Sequence, residues 1–213
     1  QLTVTYAGAI SRIQRPEILL QAYARLAQRS PAIAKRLNVE IFGPESAYFR
    51  RHVRPHLVAG VEFGGFLPKR EIDERQAAAD IGFLSLGDAT YAYATPTKLF
   101  DYIELGLPIV AALPPGAARD IIVRHDLGLV VDLGDVDGLA ECLERMVEDV
   151  DLRRRFRDSL HRSRSEFRSS VQIQKWREQL SRMVVELGDG LAADGVEVVA
   201  ASPGASEMAE SYR

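Results

Sequence analysis

Short apolar runs alternate with segments of helical periodicity along most of this chain, and that alternation constrains the fold more than any other feature. The apolar runs have the length of strands and cover residues 2–8, 38–43, 58–66, 80–86, 108–113 and 128–133. The segments of helical period cover residues 16–28, 70–79, 96–105, 135–148 and 152–167. Strands that alternate with helices pair in parallel and are covered on both faces. We therefore predict an α/β fold, a doubly wound, Rossmann-like parallel sheet of about six strands with C-terminal helices.

Three parts follow one another along the chain. Residues 1–150 form the predicted Rossmann-like domain, and residues 151–187 form a helical extension that ends in a helix over 171–187. That last helix has an apolar stripe, made of Ile173, Trp176, Leu180 and Val184. Residues 188–213 are acidic and rich in Gly, Ala and Ser, so we predict a disordered acidic tail. Since the chain begins at Gln1 inside an apolar run, we expect it to be part of a larger protein.

Charge, cysteine content and hydropathy exclude several classes of protein. The formal net charge is −3, so no overall basic field attracts nucleic acid. The one cysteine, Cys142, cannot form an internal disulfide, which indicates a reducing compartment, and we expect a cytoplasmic protein. The longest mostly apolar stretch, residues 105–118, is broken by prolines and is shorter than the roughly 20 residues of a spanning helix. No transmembrane segment is predicted.

Several common catalytic and metal-binding patterns are missing from the sequence. It has neither the phosphate-binding loop of P-loop NTPases nor the three-glycine fingerprint of nicotinamide-binding and flavin-binding domains. The histidines form no ligand cluster beyond the pair His52 and His56, so we predict no metal site. Cys142 has helical spacing with apolar neighbours and is predicted to pack in the core. Seven arginines within residues 151–168 favour a solvated helix face, with a patch for anionic lipid as the alternative.

The most informative segment has the sequence YAYATPTKLFDYIELGLPIVAAL. Thr95 is suited to cap a helix whose first position is Pro96. Thr97 and Lys98 then lie in the first turn, where free backbone N–H groups and the helix dipole favour an anion. In a doubly wound sheet this helix start lies at the carboxyl end of a strand, where such folds bind ligands. The segment therefore predicts an anion site, for which a well-capped crossover helix is the plain alternative.

Further groups are expected at the same edge of the sheet. Asp101 lies one turn after Lys98 and is placed to accept hydrogen bonds from sugar hydroxyls. Arg12 and Arg15 precede the first helix, where a guanidinium suits a phosphate, although both are also compatible with plain solvation. Gly8 and Gly43 end the first two strands and permit close approach of a ligand to the backbone.

Taken together, these residues resemble the carboxyl-terminal domain of the GT-B glycosyltransferases, in particular glycosyltransferase family 4, which binds the nucleotide-sugar donor. The resemblance covers residues 2–187 and is strongest in TPTKLFDYIELGLPIVA, VEFGGFLPKREI and DLGLVVDLGDVDGLAECLERM. It implies transfer of a sugar from a nucleoside-diphosphate sugar to a hydroxyl of a glycan or a lipid-linked acceptor, with no metal or other cofactor. It also implies an N-terminal acceptor domain before Gln1, and peripheral association with the cytosolic membrane face as a further option.

Local reasoning and the resemblance together assign donor binding to twelve residues. They are Gly8, Arg12, Arg15, Gly43, Phe66, Leu67, Tyr93, Thr95, Thr97, Lys98, Leu99 and Asp101. The resemblance implies that Asp101 binds the ribose, that Phe66 and Leu67 lie beside the base, and that Lys98 and Arg15 stabilise the leaving diphosphate.

Two positions depart from the family pattern. Tyr93 stands where the family has a glutamate that contacts the donor sugar, and Ala9 stands where it has an arginine. The family's phosphate-binding lysine falls on or beside Arg15. These departures leave a non-catalytic nucleotide-sugar-binding or regulatory module as an alternative, and a sugar-nucleotide epimerase shares the architecture. A nicotinamide-dependent oxidoreductase is disfavoured by the missing glycine fingerprint.

Overall fold

The computed structural model describes residues 1–168, 171, 173, 174 and 177–183. The chain consists of two compact units, Gln1–Phe167 and Arg168–Arg213. Within the described part of the chain, no helix combines the length and the apolar character that crossing a membrane requires.

The first unit contains a parallel sheet of six strands in the order β3-β2-β1-β4-β5-β6. The strands are β1 (Leu2–Ala7), β2 (Leu37–Phe42), β3 (Val61–Gly65), β4 (Ile81–Ser85), β5 (Ile109–Ala112) and β6 (Gly128–Val131). All six fall inside the predicted apolar runs apart from one residue at the start of β2. The central strands are almost wholly buried because helices cover both faces of the sheet. The predicted doubly wound fold is confirmed.

Seven α-helices connect and flank the strands of this unit. They are α1 (Glu17–Arg29), α2 (Pro31–Ala34), α3 (Lys69–Ala78), α4 (Thr97–Leu105), α5 (Ala117–Arg124), α6 (Val136–Glu148) and α7 (Val150–Phe167). A π-helical turn over Phe49–Val53 and a 3₁₀ turn over Arg54–His56 lie between β2 and β3. Helices α2 and α5 and these turns were not predicted, because elements of one or two turns show little periodicity in the sequence.

Two apolar clusters hold the layers together. One joins α1 and α6 to one face of the sheet and includes Cys142, as predicted. Burial raises the pKa of the Cys142 thiol to about 11, which fits a packing role. The other cluster packs α4 and α5 on the opposite face and includes Leu160 of α7.

Helix α7 belongs to the same compact unit as the sheet, whereas the sequence analysis ended the first domain at residue 150. The physical reason is that α7 packs on α4 and that its Arg153 donates to the carbonyls of Met146 and Val147, at the end of α6. Four other arginines of α7 pair with acidic groups, in the pairs Arg154–Asp151, Arg155–Asp126, Arg157–Asp80 and Arg164–Glu104. These pairs favour the solvated helix face over the lipid-binding patch.

In the second unit, residues 171, 173, 174 and 177–183 are helical, in agreement with the predicted last helix. Ile173 and Leu180 are about half exposed. Trp176 and Val184 of the predicted stripe, and the predicted tail at residues 188–213, lie outside the described residues.

Candidate functional site

A cavity of about 570 Å³ opens where β1 and β2 end. From β1 the chain proceeds outward to β2 and β3 and then returns to β4 on the other side of β1, so the cavity lies at the reversal of strand order. Open α/β sheets bind ligands at this place. The lining residues are Ala7, Gly8, Ala9, Gln14, Phe42, Gly43, Pro44, Phe66, Leu67, Lys69, Ile72, Gln76, Thr97, Lys98 and Asp101.

Seven of the twelve predicted donor-binding residues line this cavity. They are Gly8, Gly43, Phe66, Leu67, Thr97, Lys98 and Asp101. The structure therefore brings together residues that lie as far apart in the sequence as Gly8 and Asp101. Their roles in binding stay predictions.

Helix α4 is held over the sheet by Tyr102. The buried Tyr102 hydroxyl lies 3.0 Å from the carbonyl oxygen of Phe83 on β4 and 3.3 Å from that of Thr5 on β1. The hydroxyl therefore bridges the two strands that flank the reversal of strand order. Burial raises the pKa of Tyr102, so the group stays a donor. Because the first N–H groups of a helix lack acceptors within it, the start of α4 presents donors beside the cavity.

Lys98 is the buried cation of the cavity, with only 9% of its surface exposed. Its Nζ lies 5.0 Å from the centre of the Tyr6 ring, a cation–π contact that partly replaces water. Burial lowers the pKa of Lys98, and the nearby Asp101 carboxylate opposes that shift. Within the described residues Lys98 has no salt-bridge partner, so an anion in the cavity would supply the missing negative charge.

The glycines that end β1 and β2 keep the floor of the cavity open. Gly8 has φ +147°, and a Cβ there would lie 2.6 Å from Lys98 Nζ. Gly43 has φ +159°, and a Cβ there would lie 2.3 Å from the carbonyl oxygen of Gly8. No other residue type fits either position without displacement, so backbone rather than side chain borders the cavity here.

The start of α4 differs from the prediction at two residues. Thr95 is exposed and caps nothing, because Pro96 has an extended ψ of 139° and the helix begins at Thr97. Thr95 precedes a proline, which disfavours helical geometry at that position. The Leu99 side chain is fully buried in the core under α4, and its N–H donates to the Pro96 carbonyl over 2.9 Å. Neither residue lines the cavity.

The two predicted phosphate-binding arginines also lie outside the cavity lining. Arg12 is exposed. Arg15 has a left-handed backbone, with φ +40°, and its Nε lies 3.2 Å from Oε1 of Glu17. That turn of the chain places Gln14, rather than Arg15, on the cavity wall, and Gln14 Oε1 is buried with no hydrogen-bond partner among the described residues.

Tyr93, which stands where the family has a glutamate, is 79% exposed and does not line the cavity. Its side chain therefore offers no polar group to a ligand there. Three lining residues of α3, in contrast, were not predicted: Lys69, Ile72 and Gln76. Their spacing of three and four residues puts them on one face of a helix, which is the signal that could have found them. Among the described residues there is no group of three or more His, Cys, Asp and Glu side chains suited to a metal ion.

Solved glycosyltransferase structures have the same fold. HepE of Anabaena in complex with UDP superposes with a TM-score of 0.69 at 21% identity, over 85% of this chain and 49% of that one. WaaG, a glycosyltransferase involved in lipopolysaccharide biosynthesis, superposes with a TM-score of 0.62 at 16% identity, over 79% of this chain and 44% of that one. The fold is therefore that of GT-B glycosyltransferase structures.

Two curated proteins show sequence similarity. The D-inositol 3-phosphate glycosyltransferase of Salinispora arenicola is 26% identical over 97% of this chain and 44% of its own length. An exopolysaccharide phosphotransferase of Streptomyces coelicolor is 28% identical over 80% of this chain and 17% of its own length. The chain spans less than half the length of either relative.

The family model described as "Glycosyl transferases group 1" matches residues 1–160. That range contains all six strands and the whole lining of the cavity. The chain belongs to the family of group 1 glycosyl transferases.

Proposed function

We propose that this chain is the donor-binding, carboxyl-terminal half of a GT-B glycosyltransferase of family 4, which transfers a sugar from a nucleoside-diphosphate sugar to an acceptor hydroxyl. The observation that carries the proposal is the placement of Lys98. A buried ammonium group with no salt-bridge partner among the described residues lies at the start of α4 and faces a cavity large enough for a nucleotide.

The donor binds with its diphosphate at the first turn of α4. The backbone N–H groups there, the Thr97 hydroxyl and the Lys98 ammonium supply hydrogen bonds and positive charge. Asp101, which lines the same cavity one turn further along α4, accepts hydrogen bonds from the ribose hydroxyls. Phe66 and Leu67, which follow β3 and line the same cavity, pack against the base.

In the reaction, the bond between the anomeric carbon and the diphosphate oxygen breaks and the acceptor hydroxyl oxygen bonds to that carbon. The leaving diphosphate keeps the electron pair of the broken bond and takes up the hydroxyl proton. Lys98 and the α4 amides stabilise the growing negative charge, as fixed donors do in enzymes. The proposal requires no metal or other cofactor, since Lys98 and the α4 amides supply the positive charge that a divalent ion would otherwise provide.

A second candidate function is a module that binds a nucleotide sugar without transferring it. Two observations favour it. Tyr93, at the position of the family's glutamate, supplies no carboxylate for the donor sugar, and Arg15 forms a salt bridge with Glu17 instead of lining the cavity. The transferase proposal, in contrast, includes three further parts. They are an acceptor domain that precedes Gln1, a glycan or lipid-linked acceptor, and a cytoplasmic location with peripheral membrane association.

Calorimetric titration of the purified chain with UDP, GDP and ADP, with and without EDTA, tests the proposal. We expect one nucleotide to bind, EDTA to have no effect, and Lys98→Ala/Asp101→Ala to abolish binding. The control is Lys35→Ala/Asp158→Ala, which removes one cation and one carboxylate from exposed positions outside the cavity. Absence of binding to all three nucleotides, or equal loss in the control, would contradict the proposal. Sugar transfer by the longer protein then separates a transferase from a binding module.

A further inference from the structure

Glu17, the first residue of α1, carries a buried carboxylate that is not part of the cavity lining. Only 4% of its surface is exposed. Its Oε1 accepts a hydrogen bond from the Tyr48 hydroxyl over 2.8 Å and lies 3.2 Å from Arg15 Nε. Its Oε2 is buried with no hydrogen-bond partner among the described residues. Burying a charge in this way is costly, so the arrangement calls for an explanation.

The two partners of Glu17 belong to the two segments that form the floor of the cavity. Arg15 directly follows Gln14 on the loop from β1 to α1, and Gln14 lines the cavity. Tyr48 lies on the segment that continues from Gly43 and Pro44, which line it from the end of β2. Glu17, which does not line the cavity itself, is therefore bonded to both segments.

Further contacts join the same two segments. The Ser46 hydroxyl donates to the carbonyl of Ile10 over 3.2 Å. The Gly8 carbonyl oxygen approaches Gly43 so closely that a side chain on Gly43 has no room. Together with the Glu17 contacts, these bonds fix the distance between the two backbone stretches.

Arg15 carries backbone strain that the Glu17 contact helps to hold. Its φ of +40° is sparsely populated by residues other than glycine. Strained geometry persists where neighbouring contacts over-determine it. Burial, and next the hydrogen bond to Glu17, raise the pKa of Tyr48 to about 12, so its hydroxyl is a donor at neutral pH.

From these contacts we infer that Glu17 is a positioning residue for the nucleotide site: by binding both Tyr48 and Arg15, it sets the spacing of the two loops that begin at Gly8 and Gly43 and border the nucleotide cavity. It touches no ligand itself. The inference rests on the proposed function, because it concerns the same cavity.

The experiment compares Glu17→Gln and Tyr48→Phe with a matched control, Glu144→Gln. Glu144 also joins a hydroxyl and a guanidinium, from Ser30 over 2.7 Å and from Arg29 over 2.6 Å, but it lies on α6, outside the cavity lining. Nucleotide affinity is measured by calorimetry with UDP, or with GDP or ADP where the first titration identifies one of those as the nucleotide that binds; the expected losses are the same. Amide hydrogen exchange is followed by mass spectrometry in residues 8–15 and 43–49, with β5 as the internal reference.

We expect Glu17→Gln and Tyr48→Phe each to weaken UDP binding about tenfold, a loss typical of a hydrogen bond to a charged group. Exchange should accelerate in both loop segments and not in β5, and the double variant should lose less than the product of the single effects. Glu144→Gln should leave UDP affinity unchanged.

Wild-type affinity in Glu17→Gln, or exchange that rises equally in β5, would overturn the inference and leave a merely structural role. If Glu17→Gln fails to fold, Tyr48→Phe at its half-buried position decides by the same criteria. If the wild-type chain binds no UDP, GDP or ADP, the proposed function fails. The exchange pattern still shows whether Glu17 couples the two loops.

Discussion

The Lys98 ammonium lies in the space beside Gly8 that a side chain would fill, because a Cβ at position 8 would be only 2.6 Å from Nζ. The lysine from the start of α4 therefore crosses the end of β1, over the Tyr6 ring, and reaches the cavity through the space that the glycine leaves. Since Lys98 needs the space that Gly8 leaves, the anion site depends on two segments that are 90 residues apart.

Gly8→Ala is expected to weaken nucleotide binding more than tenfold. The new Cβ displaces Nζ, which is the flexible end of its side chain, so the steric cost is small but the charge moves. The φ of +147° adds a loss of about 1–3 kcal/mol in the free energy of unfolding. Calorimetry with UDP and chemical denaturation measure the two effects. Unchanged affinity in Gly8→Ala would show that Lys98 does not act from this place.

Lys98→Met is expected to abolish binding and to stabilise the fold by about 1 kcal/mol at neutral pH, because it removes a buried charge. Thermal unfolding and UDP titration of the same preparation check both parts. A less stable variant would mean that the ammonium contributes to the fold and not only to the site.

Nucleotide binding is expected to weaken as the pH rises through the lowered pKa of Lys98, which lies below the usual 10.5. Neutral lysine no longer attracts the diphosphate. The stability of the free protein changes with pH in the opposite direction. The unfolded chain holds the Lys98 proton more tightly than the folded protein, so the free energy of unfolding increases with pH between the folded and unfolded pKa values. Titrations and denaturation from pH 7 to alkaline pH test this, and Lys98→Met should show neither dependence.

Tyr102→Phe is expected to lower the free energy of unfolding by about 1–2 kcal/mol, since it removes the hydroxyl that bridges the carbonyls of Phe83 and Thr5. UDP affinity should fall as well, because α4 loses its bond to the sheet. Urea denaturation gives the first value and calorimetry the second. Tyr23→Phe is the comparison, since the Tyr23 hydroxyl bonds the Ala59 carbonyl away from the cavity lining.

Glu62→Thr is expected to stabilise the protein by about 0.5 kcal/mol at pH 7. Glu40 and Glu62 are direct neighbours in the β2–β3 register, where like charges repel. Burial first, and then Glu62, raise the pKa of Glu40, while Arg75 opposes the shift. The penalty is absent at acid pH and develops as the pH rises above 4.5, so the gain should vanish in acid. A gain that persists at pH 3 would exclude this repulsion as its cause.

Much of the site followed from the sequence because it depends on the backbone. Apolar runs fixed the strand positions, and parallel strands bring their carboxyl ends to one edge. Gly8, Gly43, Thr97, Lys98 and Asp101 were placed at that edge by their position after or between strands, and all five line the cavity. Helix α3 was predicted, but the sequence did not indicate which of its faces lines the cavity.

The differences between prediction and structure concern side-chain direction near the helix starts. Thr95 was predicted to cap the helix, but the extended Pro96 moves the helix start to Thr97. Leu99 was assigned from its match to the family's turn that faces the diphosphate, and its side chain lies in the core. Arg15 was assigned by its charge, whereas the left-handed turn at that residue faces it toward Glu17 and presents Gln14.

The class of fold, the edge of the sheet at which the cavity lies, and the residues at the start of α4 could be predicted from the amino-acid sequence alone. They follow from local periodicity and from the geometry of parallel strands, which distant contacts do not change. Which charged groups face the cavity, in contrast, depends on tertiary contacts. That choice depends on distant partners, Glu17 for Arg15 and the open floor at Gly8 for Lys98, and burial makes each of those contacts specific.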